Sequence, residues 1–196
     1  MDIHERHCEW RVGMYRKCAT EVSAQHQRQI TDSLLELMQK IPYEDITVTQ
    51  LCEASGVTRR IFYHLFNNKT GALYALIDHT ILGLESYRPD LSRPALRSFL
   101  YWKEQKKLLD ALRDNQMNGL LLERMIESVM NEGYDVRYWL KTRGWENEKD
   151  AVVFCLTGFM GLTYRWYYSN FRESPEEMAA LLEKFMTTPL AGNKAP

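Results

Sequence analysis

Apolar residues recur along this chain at helical spacing almost everywhere, and the alternation expected of strands is hard to find. The first clear stripe, Ile30, Leu34, Leu37, Met38 and Ile41, predicts an amphipathic helix that Pro42 ends. Two short helices follow, from Thr47 and from Thr58, with a turn at Ser55-Gly56 between them. A longer helix then runs from Asn68 to about Tyr87 and closes at Arg88-Pro89-Asp90. Beyond that point the predicted helices lengthen, over about 94–113, 120–141, 148–168 and 176–187. The pattern predicts an all-α chain with a boundary near residue 90. Ser174-Pro175-Glu176-Glu177 reads as a helix start, with serine as cap, proline at the first helical position and Glu177 completing a capping box.

Thr47-Val48-Thr49-Gln50 has the same capping-box chemistry: the Thr47 hydroxyl accepts from the Gln50 N–H while the Gln50 side chain reaches back. Gly56 suits the positive φ of a tight turn, and two short helices joined this way form a helix-turn-helix. At 100° per residue from Thr58, Ile61, Phe62, Leu65 and Phe66 fall on one face and Arg59, Arg60, Tyr63 and His64 on the other. The apolar face is core. Guanidinium forks pair with guanine edges in a major groove, and hydroxyl or imidazole donors hold phosphates, so the polar face suits DNA. Lys69, at the start of the next helix, joins a cation to exposed backbone N–H groups and favours a phosphate.

Composition narrows the rest. With 45% apolar and 26% charged residues the chain can bury a real core, and disorder is excluded. A net charge of -1 gives no global pull toward nucleic acid or membrane, so any anion-binding surface is local. Cys8, Cys18, Cys52 and Cys155 form no C-x-x-C pair, which fits a reducing cytoplasm. No secretory signal and no membrane span are expected. Glycine-rich phosphate loops, G-x-S-x-G and H-E-x-x-H are missing, so neither an enzyme nor a cofactor is expected. His4-x-x-His7 lacks further ligands, so no metal site is expected. Aromatic and methionine side chains at Tyr101, Trp102, Met125, Tyr138 and Phe159 suit the walls of an apolar ligand pocket.

The run from Ile46 to Lys69, ITVTQLCEASGVTRRIFYHLFNNK, resembles the DNA-binding signature of the TetR family of transcriptional regulators from end to end. The likeness is tight over about residues 26–76 and loose beyond, where the helix order is similar to that family's regulatory domain. It implies a cytoplasmic homodimeric DNA-binding regulator, expected to be a repressor released from a palindromic operator by a small-molecule effector. The alternative is an adaptor or activator whose C-terminal domain binds a protein partner. Residues 1–25 become an N-terminal extension, 26–88 the helix-turn-helix domain and 89–196 the regulatory and dimerisation domain.

Carried over by position, Thr47 and Thr58 hold phosphates from helix caps, Thr49 lies beside the groove, and Arg59, Arg60 and Tyr63 face bases or backbone. His64 and Lys69 hold phosphates. Ile61 stands where the family often has threonine, and Gly71 weakens the first turn of its helix by about 1 kcal/mol relative to alanine. The helix from about Glu148, apolar nearly all round, and the one carrying Leu181, Leu182 and Phe185 look like the family's two-helix dimer seam. There the small residues Ala151, Gly158 and Gly161 allow a close approach. The extension, with Arg6, Arg11, Arg16 and Lys17 among Asp2, Glu5, Glu9 and Glu21, is expected to pack on the domain as an added helix rather than bind DNA strongly.

Overall fold

The structure, a computed structural model, describes residues 14–16, 18, 20–88, 92–132 and 149–187. The described residues form nine α-helices, one 3-10 turn and no strand beyond an isolated bridge. In chain order these are α1 (Glu21–Met38), the 3-10 turn Tyr43–Asp45, α2 (Val48–Ser55), α3 (Arg59–Leu65), α4 (Lys69–Ser86), α5 (Pro94–Glu104), α6 (Lys106–Asp114), α7 (Asn118–Glu132), α8 (Lys149–Tyr168) and α9 (Pro175–Thr187). The expected all-α class is what the chain adopts. No described helix is long and apolar enough to cross a membrane.

Two compact units interleave along the sequence. Among the described residues, the first comprises those up to Leu82 together with Lys107–Leu121, and the second comprises those of Gly83–Lys106 and from Leu122 onward. The exchange arises at Gln105, where the single helix expected over 94–113 is broken. The Gln105 N–H is shared between the Tyr101 and Trp102 carbonyls at 3.2 Å each, and the chain restarts as α6. Helical periodicity continues through that break, so the sequence pattern does not reveal it.

In the first unit, Ile30, Leu34 and Met38 bury the inner face of α1, against which α2 packs. Leu108, Leu109 and Leu112 of α6 are also buried. Polar pins hold α6 in place: Gln39 Nε2 donates to the Lys107 carbonyl at 3.0 Å, and the Tyr43 N–H donates to Asn115 Oδ1 at 2.6 Å. The first helix begins earlier than residue 26, because Thr20 caps it by accepting from the Ser23 N–H at 3.2 Å.

In the second unit, Ala95, Leu96 and Phe99 of α5 pack against Met178, Ala179 and Leu182 of α9, with Trp166 of α8 completing the cluster. Phe99 and Trp166 meet edge to face at 5.5 Å, and the Trp166 Nε1–H donates to the Glu173 carbonyl at 2.8 Å. Each such buried aromatic is worth about 1.5 to 3 kcal/mol in removed apolar area. Asn170 and Phe171 both take φ of +55°, which turns the chain sharply after α8 and puts the Phe171 ring 4.8 Å from Trp166. The capping box at the start of α9 forms in both directions, with Glu177 N to Ser174 Oγ at 3.2 Å and Ser174 N to Glu177 Oε2 at 2.7 Å.

Candidate nucleic-acid interface

The helix-turn-helix is assembled by its caps. Gln50 N donates to Thr47 Oγ1 at 3.2 Å while Thr47 N donates to Gln50 Oε1 at 2.8 Å, closing the expected box on α2. Gly56 ends α2 in the left-handed region at φ 68°, a conformation that costs a side-chain-bearing residue energy. Thr58 then caps α3 by accepting from the Ile61 N–H at 3.3 Å.

On α3, Phe62 and Leu65 are buried, as is Phe66 just after it, whereas Arg59, Arg60, Tyr63 and His64 are exposed. Tyr63 is 49% exposed and its ring lies 6.0 Å from the Arg59 guanidinium carbon, so the two present a joint surface. Ile61 is half-buried at the edge between the faces. Thr47, Thr49 and Thr58 are exposed alongside. The two cap threonines differ, however. Thr47 Oγ1 lies 2.8 Å from Gln50 Oε1, which takes up its hydroxyl hydrogen, while the Thr58 hydroxyl accepts a backbone bond and keeps its own hydrogen for an outside acceptor.

Lys69 occupies the start of α4 as expected, but its ammonium is engaged within the chain. Nζ donates to the carbonyls of Tyr43 at 2.6 Å and Glu44 at 3.0 Å, and it sits 4.3 Å from the centre of the Tyr43 ring. One N–H of its three is left for a phosphate. Cys52, buried on α2, has its thiol pushed up by burial and is a packing group.

The expected pocket residues that are described lie in the second unit. Tyr101 and Trp102 are buried with rings 5.6 Å apart, Met125 is buried, and half-buried Phe159 lies 5.4 Å from Phe99; Tyr138 lies outside the described residues. Burial lifts the Tyr101 hydroxyl to about 12. The Trp102 Nε1–H is buried without an acceptor.

The expected seam divides. Gly158, Gly161 and Phe185 are exposed, Ala151 and Leu181 are half-buried, and Leu182 belongs to the core with α5 rather than to the open face. Nor is α8 covered on several sides within the chain. Phe154 is 72% exposed and shares one helical stripe with Thr157, Gly158, Gly161 and Tyr168. Periodicity marks this helix as one to be covered and cannot say which chain covers a given face.

Part of the extension also proves to belong to the first unit. Residues 14–16 pair with the chain at Phe66, and Gly71 has the backbone of Met14 against it. Neither pairing carries a sequence signal. The remainder of the extension, including His4 and His7, lies outside the described residues.

No family model matches the chain, and no curated protein matches it. Among solved structures, the fatty acid degradation regulator FadR from Bacillus halodurans matches with a TM-score of 0.57 at 15% sequence identity. The match covers 90% of this chain and 98% of that one. At this identity the likeness establishes a shared all-helical fold across nearly the whole of both chains.

Proposed function

We propose that this chain is a DNA-binding transcriptional regulator of the TetR kind, a homodimer that holds a palindromic operator through α3 of each copy and leaves it when a small-molecule effector binds. The observation that carries the reading is the two-sided α3. Its apolar residues are buried and its arginines, Tyr63 and His64 are open, on a helix preceded by a glycine turn and capped by a threonine. An exposed row of that composition has no packing duty and matches the donor pattern of a major groove. The fold shared with a solved regulator supports the same class. In this reading Thr58, His64 and Lys69 flank the reading head and contact backbone phosphates, Thr49 lies beside the groove, Thr47 acts as the cap of α2 with its hydroxyl hydrogen held by Gln50, and the protein works in the cytoplasm.

The open stripe of α8 supports the dimer. Phe154, Gly158 and Gly161 offer an open face with one large apolar side chain and two positions of minimal bulk, and Phe185 of α9 is exposed as well. A second copy of the same face covers it in a symmetric four-helix arrangement. The direct test is titration of an operator selected from random duplexes by the wild-type protein. Arg59→Ala or Arg60→Ala is expected to cost about 1 to 3 kcal/mol in specific binding with unchanged helix content. Wild-type affinity in both variants would remove α3 as the reading element.

A further inference from the structure

Met14, Tyr15 and Arg16 lie against the joint between α3 and α4. The Arg16 N–H donates to the Leu65 carbonyl at 2.9 Å and the Asn67 N–H donates to the Met14 carbonyl at 3.2 Å, which makes an antiparallel bridge between Tyr15 and Phe66. The Tyr15 hydroxyl reaches α4 and donates to Asp78 Oδ2 at 2.6 Å. From α1, Gln27, only 3% exposed, donates its Nε2–H to the Arg16 carbonyl at 3.1 Å. Three consecutive residues are thus tied to α1, to the end of α3 and to α4.

Gly71 makes room for them. A Cβ there would stand 2.1 Å from the Met14 carbonyl oxygen and 3.1 Å from its carbon. The obstructing atoms are backbone, and the oxygen is itself bonded to Asn67, so they cannot swing aside as a flexible side chain would. The helix propensity given up at this position therefore has a cause in the chain that crosses it.

The ties fall on Leu65, Phe66 and Asn67, which end α3 and set its direction against α4. A seven-residue helix has little stability of its own, so its orientation is imposed from its ends and its buried face. We propose that Met14–Arg16 are a clasp that fixes the orientation of α3 for DNA reading, with Gly71 and Tyr15 as its positioning residues. Thr58 holds the start of α3 and the clasp holds its end.

This inference rests on the reading of α3 as the DNA-contacting helix, and the test separates the two. Full-length wild type, Gly71→Ala and Tyr15→Phe are compared by hydrogen exchange at the Arg16 and Asn67 amides and by titration of the operator that the wild type selects. Gly71→Ala is expected to speed exchange at both amides about tenfold or more, since the bonds that protect them open. It is expected to weaken operator binding about tenfold, the worth of one well-aligned base contact, while the salt slope stays unchanged because no phosphate contact is removed. Tyr15→Phe, a milder change, moves both in the same direction by about threefold, less than half the effect on a logarithmic scale. Alanine is the better helix former, so lost affinity cannot come from propensity. Unchanged exchange in both variants overturns the clasp, and an open clasp with wild-type operator affinity overturns its positioning role. If the wild type selects no sequence at all, the DNA reading and the positioning role fall together, while protected amides still establish the clasp.

Discussion

Lys69 shows how a residue's type and position leave its duty open. At a helix start a lysine suits a phosphate, yet here it donates to two carbonyls of the Tyr43–Asp45 turn and lies over the Tyr43 ring, so it also fastens that turn to α4. His79 on the same helix gives a prediction at this scale. Burial lowers its pKa below the usual histidine value, against partial opposition from Asp78 and Asp32, while Arg28 pushes the same way as burial. Between its folded pKa and about 6.5 the unfolded chain binds the proton more readily, so stability is fully present above about pH 6.5 and declines as pH falls through that window. Chemical denaturation at a series of pH values is expected to show this decline, and His79→Gln should flatten it. An identical pH profile in the variant would assign the decline to other groups.

Among the elements, α8 is the one whose surroundings differ most from its sequence pattern. Its apolar residues run nearly all round, which predicts cover on several sides, but within one chain Leu156, Met160, Trp166 and Tyr167 face inward and Phe154 does not. A Cβ at Gly158 or Gly161 meets nothing within 4 Å, so in the single chain those glycines serve no packing need. In the proposed dimer a symmetric partner would supply the need. Gly161→Trp is therefore expected to leave the fold and thermal stability of the monomer largely intact while shifting the protein to monomer, as read by sedimentation. An unaltered dimer would place the interface on another face. The α5–α6 break is the opposite case: an element that periodicity joins, divided because α5 buries its apolar side in one unit and α6 in the other.

For the whole molecule, α4 is the informative element. It carries Lys69 next to α3, and its residues from Gly83 on belong to the second unit. At Gly83 a Cβ would meet the Tyr101 hydroxyl at 2.6 Å, so this end of α4 is in direct contact with α5. In the proposed reading, an effector held among the α5 aromatics would act on α4 there. In the proposed dimer two recognition helices must sit about 34 to 36 Å apart to enter successive major grooves, so a small tilt of α4 would misplace both together. By linkage, an effector that weakens DNA binding binds the DNA-bound protein more weakly by the same factor, about 1 to 3 kcal/mol of coupling. Screening apolar metabolites by tryptophan fluorescence, with Trp102→Phe to assign the signal, should find ligands that lower operator affinity in that proportion. Should a saturating ligand leave operator affinity unchanged, the adaptor reading gains and the second unit is built for a protein partner.

The sequence by itself determined the helical class, the caps at Thr47, Thr58 and Ser174, the turn at Gly56 and the two faces of α3. All of these are local, depending on contacts within a few residues that periodicity and cap chemistry record. The tertiary structure alone decided where α5 stops, which unit α6 joins, that Leu182 faces inward while Phe154 faces out, and that Gly71 accommodates Met14. Each of these is a contact between residues far apart in the chain, or the choice of which apolar face a neighbour covers. A one-dimensional pattern records that a face must be buried and carries no information about what buries it.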